Sequence, residues 1–528
     1  MPGRLRLNED NRKWWTLAAM CFALFMIMLD NTVVNVALPS IQRDLKASIS
    51  SLEWTVNAYT LTFAVLLVTG GRLGDIFGRR RMFLFGVAVF ALSSALCGLA
   101  PDQGWLVAGR ALQGIGGAFM MPGTLSIISN TFPPQERGRA IGTWAGVSAL
   151  ALALGPAVGG ALTEYVSWRA IFYLNLPVAV GAFLVTLYAA RESRDRTVDR
   201  TVDYPGIAAL SVGLGSLVLA LVEGNRWHWG SPAIVALLVT AVVALAAFVV
   251  FELRGRAPMV QFEYFRSRSF LGANSVAFIV TFAMLSMFFF LALYMQNILG
   301  YTPLEAGVRF LPSTAVIIIT APIAGRLADR IGPRPLMTLG LSLAAFALFL
   351  QSQITIHTGY ATLLPAFIIM GLGMGLTMSP MSTAAMNAVT HDKAGAASGI
   401  LSMFRMVGGT FGVAAIGALF QTLARSRIDS RLSGLHLPGS VRSQLVDNLG
   451  TGAGSKMLHG MDPHTAARVS SAMKGAFIHA LTGGLTLSCA IAATGAVVAL
   501  VLVEPKHKLK HHAAPAPQAE AAAEAVGV

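Results

Sequence analysis

The chain has 528 residues, 55% of them hydrophobic and only 12% charged, with a mean hydropathy of +0.64, and no ordinary soluble domain has this composition. A net charge of +14 would suit nucleic acid, but the basic residues gather on alternate loops between apolar runs, the distribution of a protein built into a bilayer. There is no Gly-rich phosphate loop followed by Lys-Ser/Thr, no HExxH and no pair of intramembrane histidines, which disfavours an ATP-driven pump or a membrane metalloprotease.

Fourteen apolar runs are each long enough to cross a hydrocarbon core of ~30 Å as a helix. In chain order they are predicted at 14–38, 54–73, 82–100, 104–131, 138–162, 169–190, 205–223, 233–252, 269–297, 304–325, 335–355, 360–387, 395–421 and 475–503. No small-residue cleavage site follows the first, so it is expected to stay as a spanning helix. Arg4, Arg6, Arg12 and Lys13 precede span 1, Arg79, Arg80 and Arg81 follow span 2, and Arg137 and Arg139 follow span 4. The bias continues with Arg191, Arg194, Arg196 and Arg200, then Arg254, Arg256, Arg266 and Arg268, then Arg326, Arg330 and Arg334. The intervening short loops hold only Arg43, Lys46 and Arg226, so both termini are predicted in the cytoplasm.

One loop dissents. Residues 422–474 carry seven basic residues, among them Arg425, Arg431 and Lys474, yet must be external if there are fourteen spans; long loops translocate with weaker regard for charge. This loop is also a candidate docking place for an external adaptor protein. Cys21, Cys97 and Cys489 lie inside apolar runs and are read as small core residues.

The stretch GRLGDIFGRRR, Gly71 to Arg81, follows span 2 and returns as GRLADRIGPRP, Gly325 to Pro335, after span 10. The repeat divides the chain into a six-helix unit at 14–190, a linker and inserted helix pair (spans 7 and 8) at 191–268, and a second six-helix unit at 269–503. A disordered cytoplasmic tail is expected at 504–528. The expected fold is therefore all-α and integral to the membrane.

Two ionisable residues stand deep in the first unit. Asp30 is nine residues before Pro39, about 13 Å from the outer face, and Arg110 is five residues after Trp105, about 8 Å from it. Their depths allow direct pairing. Burial favours the protonated acid while Arg110 favours the ionised one, so a change in their separation would bind or release a proton; a fixed pair holding spans 1 and 4 together is the alternative. Arg405 sits about 15 Å into span 13, with no acid at similar depth in spans 9 to 14. A backbone carbonyl, a polar side chain or the Asp30 region could each be its partner. Glu53, Glu164, Glu223 and Glu305 all fall at outer helix ends, where water is expected to reach them.

LDNTVVNVALP from Leu29, GRLGDIFGRRR, RALQGIGG from Arg110 and LGPAVGG from Leu154 resemble the signature series of the major facilitator superfamily. WRAIFYLNLP from Trp168, LYMQNILGYTPLEAG from Leu293 and SGILSMFRMVGG from Ser398 are similar to its fourteen-helix drug:proton antiporter branch, the EmrB/QacA type. The resemblance implies two pseudo-symmetric bundles with cargo between them near mid-membrane. It implies that Asp75 contacts the start of span 13, near Ala394 to Ser398, while the inner gate is closed. Asp329 would make the mirror contact near Arg137 to Ala140, and Arg79, Arg80 and Arg334 could pair with these acids or with anionic lipid.

Span 5 holds two close-packing glycine pairs, Gly142 with Gly146 and Gly155 with Gly159. Pro156 and Gly160 complete GPAVGG, which resembles a motif associated with exporters. By analogy spans 1, 4, 9 and 12 line the cavity. Its candidate residues are Asn31, Asn35, Asn57, Phe289, Gln296, Met374, Met378 and Arg405, although a methionine stripe at helical spacing also suits packing. The implied function is proton-coupled export of lipophilic neutral or monocationic drugs or antibiotics by a monomer in a bacterial plasma membrane. The proton gradient supplies the energy, with no cofactor, no metal and no enzymatic activity. An endogenous lipid, siderophore or secondary metabolite as cargo, or a receptor or scaffold without flux, would show the same sequence features.

Overall fold

The computed structural model describes residues 9–45, 49–194, 203–255, 262–390, 393–432 and 463–505. Helix is the only regular structure among the described residues, as a bilayer demands of a chain whose backbone groups must all be satisfied internally. The long helices are α1 (Glu9–Leu45), α2 (Ile49–Phe77), α3 (Arg79–Gly98), α4 (Gln103–Thr131), α5 (Pro134–Tyr165), α6 (Asn175–Ala189), α7 (Tyr204–Trp227), α8 (Pro232–Arg254), α9 (Arg268–Asn297), α10 (Leu311–Ile331), α11 (Pro333–Ser352), α12 (Tyr360–Asn387), α13 (Ala394–Leu432) and α14 (Pro463–Leu502). They correspond one to one with the fourteen predicted spans. Thirteen spans are long and apolar enough to cross a membrane among the described residues. The fourteenth is α5, a continuous helix of 32 residues whose apolar character is diluted by glycine and by charges in its first turns.

Several boundaries differ from the prediction. α13 runs for 39 residues and α14 for 40, about 60 Å each at 1.5 Å per residue, so both outrun the bilayer. The predicted loop 422–474 is thus largely helical at both ends; only 433–462, with its candidate adaptor site, lies outside the described residues. Hydropathy marks where a helix leaves the apolar layer, not where it stops. Spans 6 and 10 are also broken, into Ala170–Tyr173 plus α6 and into Pro303–Arg309 plus α10, the second break falling at Phe310 ahead of Pro312. The tail from 506 lies outside the described residues.

The repeated stretch explains how α2 and α10 end. Gly78 and Gly332, equivalent in the two copies, take φ of 111° and 90°, a region that costs a residue with a Cβ and that glycine enters freely. Each therefore turns the chain sharply into the next helix.

α1 packs on α5 and α6, and α4 on α2 and α3; in the second half α9 packs on α13 and α14, α12 on α10 and α11, and α11 on α14. Two seams join the halves, α5 against α10 and α2 against α13. The inserted helices α7 and α8 pack on each other, and α7 leans on α2 and α13 at the second seam.

Candidate functional site

Asp30 of α1 and Arg110 of α4 are 3% and 1% exposed and form a direct ion pair, with Nη1 2.5 Å from Oδ2. The other carboxylate oxygen accepts from Gln113 Nε2 at 3.0 Å and from Asn175 Nδ2 at 3.1 Å. Arg110 also donates from Nε to the Thr55 carbonyl at 3.0 Å and from Nη1 to Gln113 Oε1 at 2.7 Å, and its guanidinium lies 4.3 Å from the centre of the Tyr59 ring. Ser94 accepts from Asn175 at 3.0 Å and from Gln113 at 3.3 Å, and donates to the Phe172 carbonyl. Five helices meet in this network, and such a pair tolerates burial because its remaining hydrogen-bonding capacity is satisfied.

Sequence reasoning missed Gln113 and Asn175, which carry no charge to mark them in an apolar run. Gln113 was within reach of a pattern argument, since it is three residues from Arg110 on the same helix face. Asn175 had only its place in the stretch WRAIFYLNLP to mark it.

At one end of the bundle the halves are fastened across both seams. Asp75 Oδ1 and Oδ2 accept the amides of Gly395 (2.9 Å) and Ala396 (2.7 Å) in the first turn of α13, whose N–H groups have no helical partner and carry positive partial charge. Arg79 closes on the same carboxylate with Nε at 2.8 Å and Nη2 at 2.6 Å, and both side chains are buried. On the other seam Asp329 Oδ1 accepts the Gly138 amide at 3.2 Å, Ser379 Oγ donates to the Gly138 carbonyl at 3.3 Å, and Arg137 donates to Asn387 Oδ1 at 2.6 Å. The residue equivalent to Arg79 in the second copy is Pro333, so this copy has no arginine at that position. Arg80 does not join either acid: its side chain donates to the Leu187 carbonyl and its amide to Glu192. Arg334 forms no ion pair among the described residues.

The α5 glycines serve two different neighbours. Gly142 faces α10, where a Cβ would lie 2.5 Å from the Ala321 carbonyl oxygen; four residues farther along, at Gly146, the nearest approach has relaxed to 3.4 Å. Gly155 abuts Thr32 and Gly159 abuts the Val33 backbone, both on α1. α5 thus leaves α10 as it runs away from the latched end and joins α1. Gly160 has only Val36 at 4.0 Å and is not a close-packing position. The Pro156 ring lies outside the described residues, and the helix is unbroken through it.

Where α5 and α10 part, a cavity of about 220 Å³ opens between the halves. Thr32, Ala145, Ser148 and Ala149 line it from one half; Met284, Leu285, Phe288, Gly307, Phe310, Thr314, Ile317 and Met378 line it from the other. It carries no charged side chain. α5 and α10 stand in its wall where α4 was expected. Among the sequence candidates only Met378 reaches it. Phe289 is 49% exposed on the outer surface, and its neighbour Phe288, about 100° around the helix, takes the cavity position. Met374 is 1% exposed and belongs to the packed core with Met370. Asn31 donates to the Ile27 carbonyl of its own helix, Asn57 and Gln296 are half-buried away from the wall, and the Asn35 side chain lies outside the described residues.

Arg405 is 9% exposed, and its guanidinium lies 5.5 Å from the centre of the Trp144 ring on α5. An aromatic face, absent from the sequence-based alternatives, is its contact across the halves. Trp144 in turn donates to Thr124 Oγ1 at 3.1 Å. Glu223 is 1% exposed rather than open to water, and Glu252, which the sequence did not single out, is 4% exposed; both lie on the inserted pair.

The sequence profile of the Major Facilitator Superfamily matches residues 20–413. A tetracenomycin C resistance and export protein of Streptomyces glaucescens is 33% identical over 491 residues, covering 93% of this chain and 91% of the relative. The multidrug resistance protein Stp of Mycobacterium tuberculosis is 37% identical over 418 residues, covering 79% and 78%. Among solved structures, the proton:xylose symporter XylE superposes with a TM-score of 0.60 at 12% identity, covering 96% of this chain and 99% of that one, a likeness of fold alone.

Proposed function

The chain belongs to the Major Facilitator Superfamily, and we propose that it is a proton-coupled exporter of lipophilic neutral or singly charged drugs or antibiotics. It draws on the proton gradient and on no cofactor, and works as a monomer in a bacterial plasma membrane with the latched end and both termini facing the cytoplasm. The observation that carries the reading is the buried Asp30–Arg110 pair on a helix whose adjacent turn, at Thr32, borders the cavity between the halves.

Two residues are about 200° apart on a helix, so Asp30 and the cavity occupy different faces of α1. Cargo does not touch the carboxylate. Protonation of Asp30 weakens its attraction to Arg110 and frees α1 to shift; Thr32 sits against Gly155 of α5 and transmits that shift to the cavity wall. With both latches closed the cavity is sealed from the cytoplasm, and release of cargo belongs to this state. Proton entry at Asp30 and rupture of the latches then return the cavity to the inside, the alternating access of two bundles rocking about a fixed site.

Dye efflux from energised cells tests the reading: ethidium should leave against its gradient, and a protonophore should abolish the efflux. Purified protein should also release protons when drug is added. Efflux that persists without a proton gradient would refute the coupling, and binding without flux would indicate a receptor.

A further inference from the structure

Two cavities flank the short 3-10 turn Phe262–Arg266, which leads from the inserted pair into α9. The first, about 390 Å³, is polar and holds Arg266, Arg268 and Lys393 against Glu263 and Glu504, with the Lys393 ammonium 5.6 Å from the centre of the Tyr264 ring. The second, about 340 Å³, has no charged side chain; Leu214 of α7, Leu245 and Phe248 of α8, Phe265 of the turn and Phe404 of α13 are among its walls. The turn contributes to both, Tyr264 and Arg266 to the polar cavity and Phe262 and Phe265 to the apolar one. α13 does the same, for Lys393 just precedes it and Ile400 and Phe404 lie within it. A basic vestibule by the ends of α9, α12 and α14 therefore lies across the same short turn from an apolar chamber walled by the spanning helices.

We propose that the pair of cavities binds one anionic phospholipid of the surrounding bilayer, its phosphate among Arg266, Arg268 and Lys393 and an acyl chain in the chamber between the inserted pair and α13. Three cations against two carboxylates leave a single positive charge, the complement of one phosphodiester. The chamber offers a hydrocarbon chain apolar contact and no polar partner, which is unsuited to a peptide backbone or a sugar. The chain's own continuation is a poor occupant of the vestibule because Lys506, Lys508 and Lys510 follow Glu504 directly and would be repelled there.

Placement gives the lipid a consequence. Lys393 is two residues before Gly395, whose amide Asp75 holds, and Val68 of α2 joins Ile400 in the chamber wall. A lipid seated there braces the α2–α13 seam and adds an anion near the positive end of α13. The inserted pair thereby acquires a role, as the outer wall of a lipid site that favours the latched state. The site requires a bilayer and does not depend on what cargo the protein carries.

The test uses the full chain in phosphatidylcholine nanodiscs with or without phosphatidylglycerol, and native mass spectrometry of lipid that stays bound on release. Phosphatidylglycerol should be retained in preference to phosphatidylcholine. Arg268→Gln and Lys393→Gln should each weaken retention about fivefold, the worth of one basic side chain at an anionic surface. Leu217→Trp, which fills the chamber, should lower retention with the basic residues intact, and the thermal stability of each variant in pure phosphatidylcholine should match wild type. Equal retention of the two lipids, or retention untouched by both the polar and the apolar substitutions, would overturn the proposal. So would equal competition by soluble glycerol phosphate, which would mark the vestibule as a phosphate site, or displacement of the lipid by ethidium, which would mark the chamber as a cargo site.

Discussion

Asp75 and Gly395 stand 320 residues apart in the chain and are joined across the two halves by a 2.9 Å amide-to-carboxylate hydrogen bond. The same carboxylate takes a second amide and a bidentate guanidinium, so the contact is a charge-assisted cluster rather than a loop hydrogen bond. Asp75→Asn keeps an acceptor but loses the charge that Arg79 and the start of α13 share. Transport should fall by about tenfold or more, the worth of one to two charged hydrogen bonds, while equilibrium drug binding changes little. Transport assays in proteoliposomes beside direct binding measurements read the two separately.

The second latch should matter less. Asp329 accepts the Gly138 amide at 3.2 Å, a longer hydrogen bond than either amide makes to Asp75, and has Pro333 where its counterpart has Arg79. Asp329→Asn should therefore cost a smaller factor than Asp75→Asn in the same assay, and Arg79→Gln should resemble Asp75→Asn. Equal effects of the two aspartates, or unchanged transport in the double variant, would remove the latch from the mechanism.

The latch was legible because it is charged and repeated in a register that the sequence prints twice, although its acids lie in the last turns of α2 and α10 and not in the loops that the apolar runs suggested. The cavity was far less so. Choosing between Phe288 and Phe289 needs the rotational phase of α9 to better than 100°, and the run 287–293 around them carries no polar residue from which to fix that phase. The two residues therefore give a paired test: Phe288→Ala should alter the drug profile or lower apparent affinity, and Phe289→Ala should leave both near wild type. Met378→Ala should act like Phe288→Ala. Met374→Ala should instead destabilise the protein by about 2–5 kcal/mol, read as a lower melting temperature, because its thioether is core.

At the end of α1 remote from the latches, Arg169 donates to Asp44 and the Trp168 indole donates to the same oxygen at 2.9 Å. Arg169 first and Trp168 second hold the Asp44 carboxyl below its ordinary range. A carboxylate whose folded value is depressed contributes stability that is present above its unfolded value, about 3.9, and is lost as pH falls through the folded one. The melting temperature of wild type should exceed that of Asp44→Asn by a small, constant amount from neutral pH to about pH 5, and the gap should close below about pH 4. The gap should also shrink in high salt, since the pair is exposed.

Removing the carboxylate of Asp30 addresses proton coupling itself. Asp30→Asn leaves Arg110 buried without its counter-anion and sets an amide against the Gln113 and Asn175 donors, a change of about 3–5 kcal/mol for a pair of this kind. Proton-driven efflux should be abolished, and drug exchange across the membrane at equal pH should survive if the variant folds. Gln113→Leu keeps the ion pair but removes one donor to Asp30, and should shift the pH dependence of transport while leaving equilibrium exchange intact. Full coupling in Asp30→Asn would exclude Asp30 as the proton carrier.

The charge of the cargo follows from what the cavity lacks. Its wall carries no carboxylate; Asp30 points into the α4–α6 network, Asp75 is held in the latch, and the buried Glu223 and Glu252 belong to the inserted pair. A cation entering the cavity leaves water for an apolar surround with no anion to meet it, and each further charge costs several kcal/mol more. The nearest distinct field on α13 is that of Arg405, which is positive and stacked on Trp144. Neutral lipophiles should therefore be moved best, singly charged delocalised dyes such as ethidium less well, and dications least. Competition among an uncharged drug, ethidium and a dicationic analogue of similar size, at fixed proton gradient and membrane potential, measures the order. Introducing an acid at the cavity wall, Thr314→Asp, should reverse the preference towards cations; robust efflux of the dication by the unaltered protein would refute the argument from an acid-free wall.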